Sequence, residues 1–400
     1  MAGTSLGAIA GLGITKMSRE WMGPAPVLAA EAIRLAIADA GLRKTDIDGL
    51  LVNAGPSSRN GYGASALSVS TQNQLGLRDL ALCSEMVAQG STAAQMVQYA
   101  AMAIAAGLCK AVVCVYADAS LAPGASAGSS YGMGRFASSA ANPIDILDVQ
   151  YGLTGANAMY ALAARRHMAL YGTSNDHFGA VAVSNRQWAT MNPHAIYRTP
   201  LTIEEYHASR WIAEPFHLFD CTMVNNGAVA VVVTSAERAR DMAQPPVHVL
   251  GMGQGHPGNP KKAPFENEVN TGAAQAGRTA FAMAGVTVAD IDICELYDCY
   301  TYTTIVTLED YGFCEKGEGG PFVADGRLAP GGALPTNTGG GQLSSYYMWG
   351  MTPLSEAVIQ ARGQGGERQV EKHDLILVSS QGGLLDHHGT LIVSPHAGIH

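Results

Sequence analysis

The chain matches a later part of itself at a constant offset of 244 residues. Gly41 matches Gly285, and the tripeptide Asp46-Ile47-Asp48 matches Asp290-Ile291-Asp292. Each of these glycines follows an Ala-rich stretch with apolar residues at helical spacing, which is how helices commonly end. Each tripeptide leads into an apolar stretch typical of a buried strand. Because the same signals recur in the same order, they predict two copies of one α/β unit.

Predicted strands and helices alternate in both copies. The first copy has strands at 7–13, 46–52 and 110–116, with helices at 26–40 and 91–106. The second has strands at 249–253, 291–296 and 374–378, with helices at 274–284 and 353–361. This alternation predicts a mostly parallel sheet that is covered by helices on both faces.

An insert interrupts the first copy. Residues 119–141 are rich in Gly, Ala and Ser without periodicity, which predicts a mobile loop facing the active site or a partner. Helices follow at 155–171 and 176–191, and an apolar strand at 220–233 returns to the first copy. Three regions are therefore expected: a first half 1–118 completed by 221–245, an inserted loop domain 119–220, and a second half 246–400.

Composition narrows the class of protein. A formal net charge of −9 argues against a general nucleic-acid binder, since phosphate binding needs a basic surface. The seven cysteines contain no CxxC pair and predict reduced thiols, with neither a zinc site nor a disulfide framework. We find no leader and no apolar run long enough for a membrane span, so a soluble, cytoplasmic protein is expected.

Two stretches combine glycines with reactive side chains. Residues 337–350 contain the triplet Gly339, Gly340 and Gly341 and then Tyr347, and residues 294–300 place Tyr297 and Asp298 at the end of a predicted strand. Ligands bind at that end of an open α/β sheet, and glycine lets the backbone approach them closely. The sequence therefore predicts one site in which two phenols meet backbone amides. A glycine pair, Gly382 and Gly383, precedes His387 and His388 after the strand predicted at 374–378.

Several motifs in one order resemble the thiolase superfamily, in its sterol-carrier-protein/lipid-transfer branch. The motifs are Gly90-Ser91-Thr92-Ala93, Tyr171-Gly172-Thr173, Asn192-Pro193, residues 209–215, Asn226-Gly227-Ala228, residues 295–300 and residues 337–344. The resemblance covers essentially the whole chain. It implies an α/β thiolase fold, in which duplicated βαβαβαββ halves form a five-layer α-β-α-β-α sandwich with an inserted loop domain. It also implies a homodimer through the thiolase core.

The chain departs from the thiolase pattern at three positions. The family's nucleophilic Cys falls on Val87, and its two His positions fall on Tyr297 and Tyr347. Valine cannot form an acyl-enzyme. Cys83 is a candidate substitute nucleophile, although a buried structural thiol is the commoner state of such a residue. Tyr346 takes the place of Tyr347 if the alignment shifts by one residue.

These substitutions resemble the thiolase-like aldolases of bacterial steroid and bile-acid side-chain degradation. That resemblance implies retro-aldol cleavage of a bulky β-hydroxyacyl-CoA to a ketone plus propionyl-CoA or acetyl-CoA, with no metal and no cofactor besides the CoA thioester. Tyr297 and Tyr347 would transfer protons, helped by Asp298, His388 or His387. Amides of Gly339, Gly340 and Gly341, or of Gly382 and Gly383, would hold the enolate oxygen, and Val87 would line the pocket.

The same resemblance implies a small OB-fold/zinc-ribbon partner subunit, in some cases associated with a hydratase. Two other functions remain open from the residues. One is a β-ketoacyl-CoA thiolase, or acetyl-CoA acyltransferase, with an atypical nucleophile. The other is a non-catalytic subunit that binds acyl-CoA or lipid.

Overall fold

The computed structural model describes residues 5–57, 67–125, 150, 153, 155–257 and 269–398. The strands are β1 Gly7–Ile14, β2 Gly49–Ala54, β3 Leu82–Glu85, β4 Ala111–Ala119, β5 Trp211–Ala213, β6 Phe216–His217, β7 Asn226–Thr234, β8 Val247–Gly255, β9 Ile293–Glu295, β10 Ile376–Gly382 and β11 His387–Ser394. The helices are α1 Ala25–Asp39, α2 Leu67–Leu75, α3 Thr92–Ala105, α4 Ala156–Tyr171, α5 Asn175–Thr190, α6 Ile203–Ala208, α7 Ala236–Ala239, α8 Ala273–Ala284, α9 Thr301–Tyr311, α10 Gly319–Val323 and α11 Met351–Ala361.

One large mixed sheet carries the duplication. The expectation of a mostly parallel sheet is wrong, because five of the eight pairings between its described strands are antiparallel, including every pairing of β1, β7, β8 and β11. Its strand order is β3-β2-β4-β7-β1-β8-β11-β10-β9, and β5 and β6 form a separate hairpin. From β2 inward the order is β2-β4-β7-β1, and from the opposite edge it is β9-β10-β11-β8. The two sets meet where β1 and β8 pair antiparallel, Gly7 opposite Val249. Each set repeats the other strand for strand, so the predicted duplicated α/β fold is confirmed.

Two central helices lie between the halves of the sheet. Helix α3 contacts β2, β4 and β7 of the first half and β10 and β11 of the second, and α11 likewise contacts strands of both halves. Helix α1 packs on the first half, and α8 packs on the second. Because α3 and α11 contact strands of both halves, they lie in the central layer, with α1 and α8 as outer helices. This agrees with the α-β-α-β-α order that the resemblance implied.

The repeated tripeptide is a turn rather than the start of a strand. In the first copy the Asp46 carboxylate accepts from the Arg43 N–H at 2.8 Å, and β2 begins only at Gly49. In the second copy Asp290 accepts from the Thr287 N–H at 2.8 Å. These carboxylates cap 3₁₀ turns, which shortens the strands predicted at 46–52 and 291–296.

The second aspartate of each tripeptide ties neighbouring strands together. Asp48 accepts from the Ala111 N–H at 2.9 Å, and Asp292 accepts from the Leu375 N–H at 3.0 Å. The matched glycines end their helices as predicted, with φ of +70° at Gly41 and +73° at Gly285. The repeat therefore preserves backbone contacts that hold each half together.

The insert supplies α4, α5, α6 and the β5–β6 hairpin. Both helices predicted there are confirmed to within one residue at each end. Of the predicted loop 119–141, residues 126–141 lie outside the described residues. The domain limits at 118, 220 and 246 stay predictions.

In the described part of the chain, no helix is both long and apolar enough to cross a membrane. Within those same residues, no group of three or more His, Cys, Asp or Glu side chains is placed to hold a metal ion. The cytoplasmic location stays a prediction.

Candidate active site

The two tyrosines that the sequence analysis placed in one site lie next to each other in the structure. Tyr297 follows strand β9, and Tyr347 follows a π-helical turn, Gly341–Ser345, that precedes α11. Their phenol oxygens lie 3.3 Å apart. Tyr297 is buried and Tyr347 half-buried. The sequence placed both residues in one site, and the structure brings them into direct contact.

Backbone contacts fix both phenols. The Tyr347 N–H donates to Asn225 Oδ1 at 2.6 Å. The ring of Tyr297 lies against Gly90, just before α3, so closely that a side chain at position 90 would collide with the ring and with the carbonyl of Gln381. Glycine is therefore required at position 90, and the start of α3 helps to set the direction of Tyr297.

Burial keeps both phenols protonated. The pKa of Tyr297 is raised well above its usual value by burial and then by the neighbouring Tyr347 and Cys299. Burial also raises the pKa of Tyr347, and Cys299 and Asp118 raise it further. At neutral pH the pair therefore consists of two neutral phenols, each able to donate one proton and accept another.

Asp298 supports the turn rather than the phenols. Its carboxylate accepts from the Gln342 N–H at 2.8 Å, from Leu343 N–H at 3.3 Å and from Asn185 Nδ2 at 2.6 Å. Burial raises its pKa to about 8, while these three donors act in the opposite direction. Among the described residues these hydrogen bonds go to the turn and to Asn185 and not to either phenol, and a proton relay through Asp298 stays a prediction. Its carboxylate holds the turn from which Tyr347 extends.

The glycine triplet also serves packing. Gly340 and Gly341 have φ of +96° and +59°, which favour glycine. The atoms that a side-chain carbon would meet belong to Glu356 at Gly339, Ala189 at Gly340 and Asp298 at Gly341. The Gly340 N–H is already bonded to the Asn337 carbonyl at 2.7 Å. This loop therefore packs on other parts of the protein, contrary to the expectation of an open oxyanion cradle.

The second glycine pair lies against the segment that precedes Gly90 and α3. Gly382 packs on the carbonyl of Ala88, and the Gly383 N–H donates to Gln89 Oε1 at 2.6 Å. The Gly383 carbonyl accepts from the hydroxyl of Tyr160 at 2.5 Å. The turn adjoins the site as expected, but the Gly383 N–H is occupied by Gln89 and is not free to hold an enolate oxygen.

His388 faces the opposite side of the sheet. Its Nε2 lies 3.0 Å from the Tyr311 hydroxyl and 2.8 Å from Ser379 Oγ, and burial lowers its pKa to about 3. The next residue, Gly389, faces Ala94 of the central helix α3. Because side chains alternate along a strand, His388 points away from α3 and toward α9. In the described part of the chain the His388 ring is hydrogen-bonded to Tyr311 and Ser379 and not to either phenol of the candidate site, and its catalytic role stays a prediction. His387 pairs with His256, with their Nδ1 atoms 3.0 Å apart.

Comparison with known proteins decides the family. The family described as "Thiolase C-terminal domain-like" matches residues 262–395. A steroid side-chain-cleaving aldolase of Thermomonospora curvata is 35% identical over 385 residues, which cover 94% of this chain and 95% of the relative. A 17-hydroxy-3-oxo-4-pregnene-20-carboxyl-CoA lyase of Mycobacterium tuberculosis is 38% identical over 89% of this chain and 91% of the relative.

The chain belongs to the thiolase-like aldolases. A solved structure of an aldolase named Ltp2-ChsH2(DUF35) matches with a TM-score of 0.85 at 33% identity, over 98% of both chains. An SCP2-thiolase-like protein of Mycobacterium smegmatis matches with a TM-score of 0.73 at 19% identity, over 99% of this chain and 78% of the other, which shows the fold alone. The expected family and enzyme class, a carbon–carbon lyase of the thiolase superfamily, are confirmed.

Val87 stands where thiolases have their nucleophilic cysteine, so the positions of the chain's own cysteines decide whether another thiol could replace it. Val87 is 51% exposed, three residues before Gly90. Cys83 lies exposed on the edge strand β3, and Cys299 lies buried beside both phenols. Burial raises the pKa of the Cys299 thiol to about 12. Because the thiolate is the nucleophile, a thiol that stays protonated at neutral pH is a poor substitute for the missing cysteine.

Three residues beside the candidate site were missed by sequence reasoning. They are Cys299, Asp118 and Tyr160. Asp118 stands near the carboxyl end of the buried strand β4, which is itself a signal for a ligand site. Tyr160 lies on helix α4 of the insert, and its approach to Gly383 could not be found without the fold.

Proposed function

We propose that this chain cleaves a β-hydroxyacyl-CoA by a retro-aldol reaction, releasing a ketone and propionyl-CoA or acetyl-CoA. The names of the two full-length relatives support a steroid or similarly bulky acyl group. The reaction would need no cofactor besides the CoA of the substrate. The observation that carries the proposal is the contact between the Tyr297 and Tyr347 hydroxyls, 3.3 Å apart, at the family's two His positions.

A pair of neutral phenols suits this reaction because protons can pass through it without either ring becoming charged. One phenol oxygen takes the proton of the β-hydroxyl while its own proton passes to the other phenol. The Cα–Cβ bond breaks, the β-carbon becomes the ketone carbonyl, and the electron pair moves onto the thioester enolate. As the second phenol receives that proton, it gives its own proton to Cα in the same step, so neither ring carries a charge at any point. Protons and charge balance, and both tyrosines end neutral.

The raised pKa values favour this relay over a phenolate base. A buried phenolate beside a second phenol, Cys299 and Asp118 is disfavoured, so a mechanism that never forms one has the lower cost. The O···O distance of 3.3 Å is longer than an ordinary O–H···O bond. Catalytic hydrogen bonds commonly shorten when substrate binds, and the proposal requires such a shortening.

We also propose that the chain forms a homodimer through the core. Among the described strands, β3 has a neighbour on one side only, which leaves its other edge open to pair with a second copy. Val87 and the α3 residues Tyr99 and Met102 are large apolar side chains exposed in this half of the molecule. Light scattering of the purified chain would test the dimer; a monomer at micromolar concentration would contradict it.

A small OB-fold/zinc-ribbon partner is the second part of the assembly we propose. The similar aldolase structure supports it, because the name of that aldolase, Ltp2-ChsH2(DUF35), includes a DUF35 chain. Co-expression with a small zinc-binding protein, followed by copurification and turnover assays, would test this. Equal solubility and equal turnover of the chain alone would argue against the partner.

The reaction can be tested with a panel of CoA thioesters. β-Hydroxyacyl-CoA and β-ketoacyl-CoA substrates with linear, branched and steroid side chains are incubated with the protein, and products are identified by mass. We expect a ketone and a shorter acyl-CoA from a β-hydroxyacyl-CoA. Cleavage of β-ketoacyl-CoA alone would favour a thiolase, and binding without turnover would favour a carrier subunit.

A further inference from the structure

Tyr160 joins the insert to the proposed site. It lies on helix α4, is buried, and reaches across to the turn after strand β10, in the other half of the molecule. Its hydroxyl is 2.5 Å from the Gly383 carbonyl and 3.0 Å from Gln381 Nε2. The position of the Gly382–Gly383 turn is therefore coupled to the insert.

The hydrogen-bond directions at Tyr160 are fixed. A backbone carbonyl can only accept, so the Tyr160 O–H must donate to Gly383. The phenol oxygen then accepts from Gln381, whose side-chain amide must present its nitrogen. The other atom of that amide, Oε1, is buried and has no hydrogen-bond partner among the described residues. The geometry thus allows one arrangement of protons.

The same phenol is hydrogen-bonded to the Cys299 side chain, which neighbours the two phenols of the proposed site. Tyr160 and the Cys299 thiol shift each other's pKa, and Tyr160 contributes to the raised pKa of Tyr297. Its ring also packs on Tyr300, with centroids 4.5 Å apart, and the Tyr300 hydroxyl donates to Asn157 of α4 at 2.6 Å. Helix α4 therefore contacts two parts of the site. Tyr160 binds the turn after β10, and Asn157 binds Tyr300 in the segment that follows β9.

We propose that Tyr160 is a positioning residue, which clamps the Gly382–Gly383 turn and sets the place of Cys299 and Tyr297 beside Tyr347. The inference rests on the proposed function, and it makes the insert a part of the active site. Loss of the hydroxyl would free the Gly383 carbonyl and let the turn and the phenols shift. Misplacement of reacting groups by about 1 Å can cost about 100-fold in rate.

The test compares Tyr160→Phe with Tyr171→Phe, a change of an exposed tyrosine at the end of the same helix. Turnover of a β-hydroxyacyl-CoA is measured in the assembled protein. For Tyr160→Phe we expect kcat to fall on the order of 10- to 100-fold, with KM within about 2-fold, because the ring stays in place. Tyr171→Phe should match the wild type.

Two outcomes overturn the inference. A kcat for Tyr160→Phe within about 3-fold of the wild type would do so, as would a rise in KM that accounts for the whole loss, which would make Tyr160 a substrate contact. If Tyr160→Phe does not fold, Gln381→Met carries the test, since it removes the donor to the phenol and keeps Tyr160 itself. For that variant an unchanged kcat overturns the inference.

Hydrogen exchange separates this inference from the proposed function. Amide protons in residues 382–386 should exchange about tenfold faster in Tyr160→Phe, because the clamp on Gly383 is lost. If the wild type cleaves no thioester, the proposed reaction is wrong. Hydrogen exchange alone then decides whether Tyr160 holds the turn in place. Unchanged exchange in this segment would then contradict the positioning role.

Discussion

The Tyr297 and Tyr347 hydroxyls are in direct contact, with their oxygens 3.3 Å apart, although the residues are fifty positions apart in sequence. If they pass one proton between them, they act as a unit. Tyr297→Phe and Tyr347→Phe should each lower kcat by about 10²- to 10⁴-fold. The double variant should be no more than about 3-fold worse than the poorer single variant, because either change breaks the relay.

Tyr346→Phe is the matched control for this pair. Tyr346 is buried and bonded to Ser355 Oγ at 2.7 Å, away from Tyr297. Its variant should keep kcat within about 3-fold of the wild type. Turnover by mass spectrometry checks all four proteins, and additive losses in the double variant would contradict a shared proton path.

The exposed thiol of Cys83 should be irrelevant to turnover. It lies on the edge strand β3, and burial of part of the side chain raises its pKa. We expect iodoacetamide to label Cys83 while kcat stays within about 2-fold, and Cys83→Ala to behave in the same way. Peptide mass mapping with a parallel assay checks this. Loss of activity in proportion to Cys83 labelling would restore the substitute-nucleophile hypothesis.

Two buried glutamates should respond to the same substitution with losses of stability that differ in size. Glu295 accepts from Thr338 and lines a cavity of about 10 Å³, and its pKa is raised well above its usual value by burial and by Glu356. That shift favours the neutral carboxyl in the folded protein, and Glu295→Gln, which is neutral as well, should change the free energy of unfolding by less than about 1 kcal/mol.

Glu356 differs because it pairs with Arg368 at 2.9 Å. Glu356→Gln leaves that buried guanidinium without its anion and should lower the free energy of unfolding by about 3–5 kcal/mol. Chemical denaturation of both variants at pH 7 measures the difference. Equal losses would show that Glu295 is charged in the folded protein.

Stability should fall as the pH rises from about 6.5 to 8. Burial raises the pKa of Asp220 to about 7 and of Asp298 to about 8, both far above the value of an unfolded aspartate, about 3.9. The folded state therefore binds these protons more tightly, and the stability they contribute is lost as the pH rises through the folded pKa values. His388, with its pKa lowered to about 3, acts in the opposite direction only below about pH 6.5.

Urea unfolding at pH 6.5, 7.5 and 8.5 measures how the free energy of unfolding depends on pH. Asp298→Asn cannot titrate, so its free energy of unfolding should depend less steeply on pH, although its overall stability is lower. A wild-type free energy that rises over this range would contradict the protonated state of the buried carboxyls.

The sequence predicted the features that local pattern and repetition encode. Gly41 and Gly285 marked the helix ends, and the end of the strand before Tyr297 marked the site. The pairing of Tyr297 with Tyr347 depended on the family's His positions, because nothing local connects residues so far apart. The predictions that the structure did not support concerned contacts between elements far apart in sequence. Asp298 was expected to serve the phenols and instead caps the turn at Gln342.

The orientation of a side chain on a strand was also beyond the sequence. His388 stands next to the glycine pair in the chain, yet strand alternation turns it toward Tyr311 on the far face. Tyr160 was missed for the converse reason. A tyrosine on the buried side of a helix has no distinguishing pattern, and only the fold brings it to Gly383.

The requirement for free CoA tests the account most directly. A thiolase consumes one CoA for each bond it breaks, whereas proton relay through Tyr297 and Tyr347 consumes none. With a cleavable β-hydroxyacyl-CoA and no added CoA, we predict a ketone and a shorter acyl-CoA in equal amounts, with no acyl group attached to the protein. Cleavage that depends on added CoA, or an acyl adduct on Cys299 or Cys83, would contradict it.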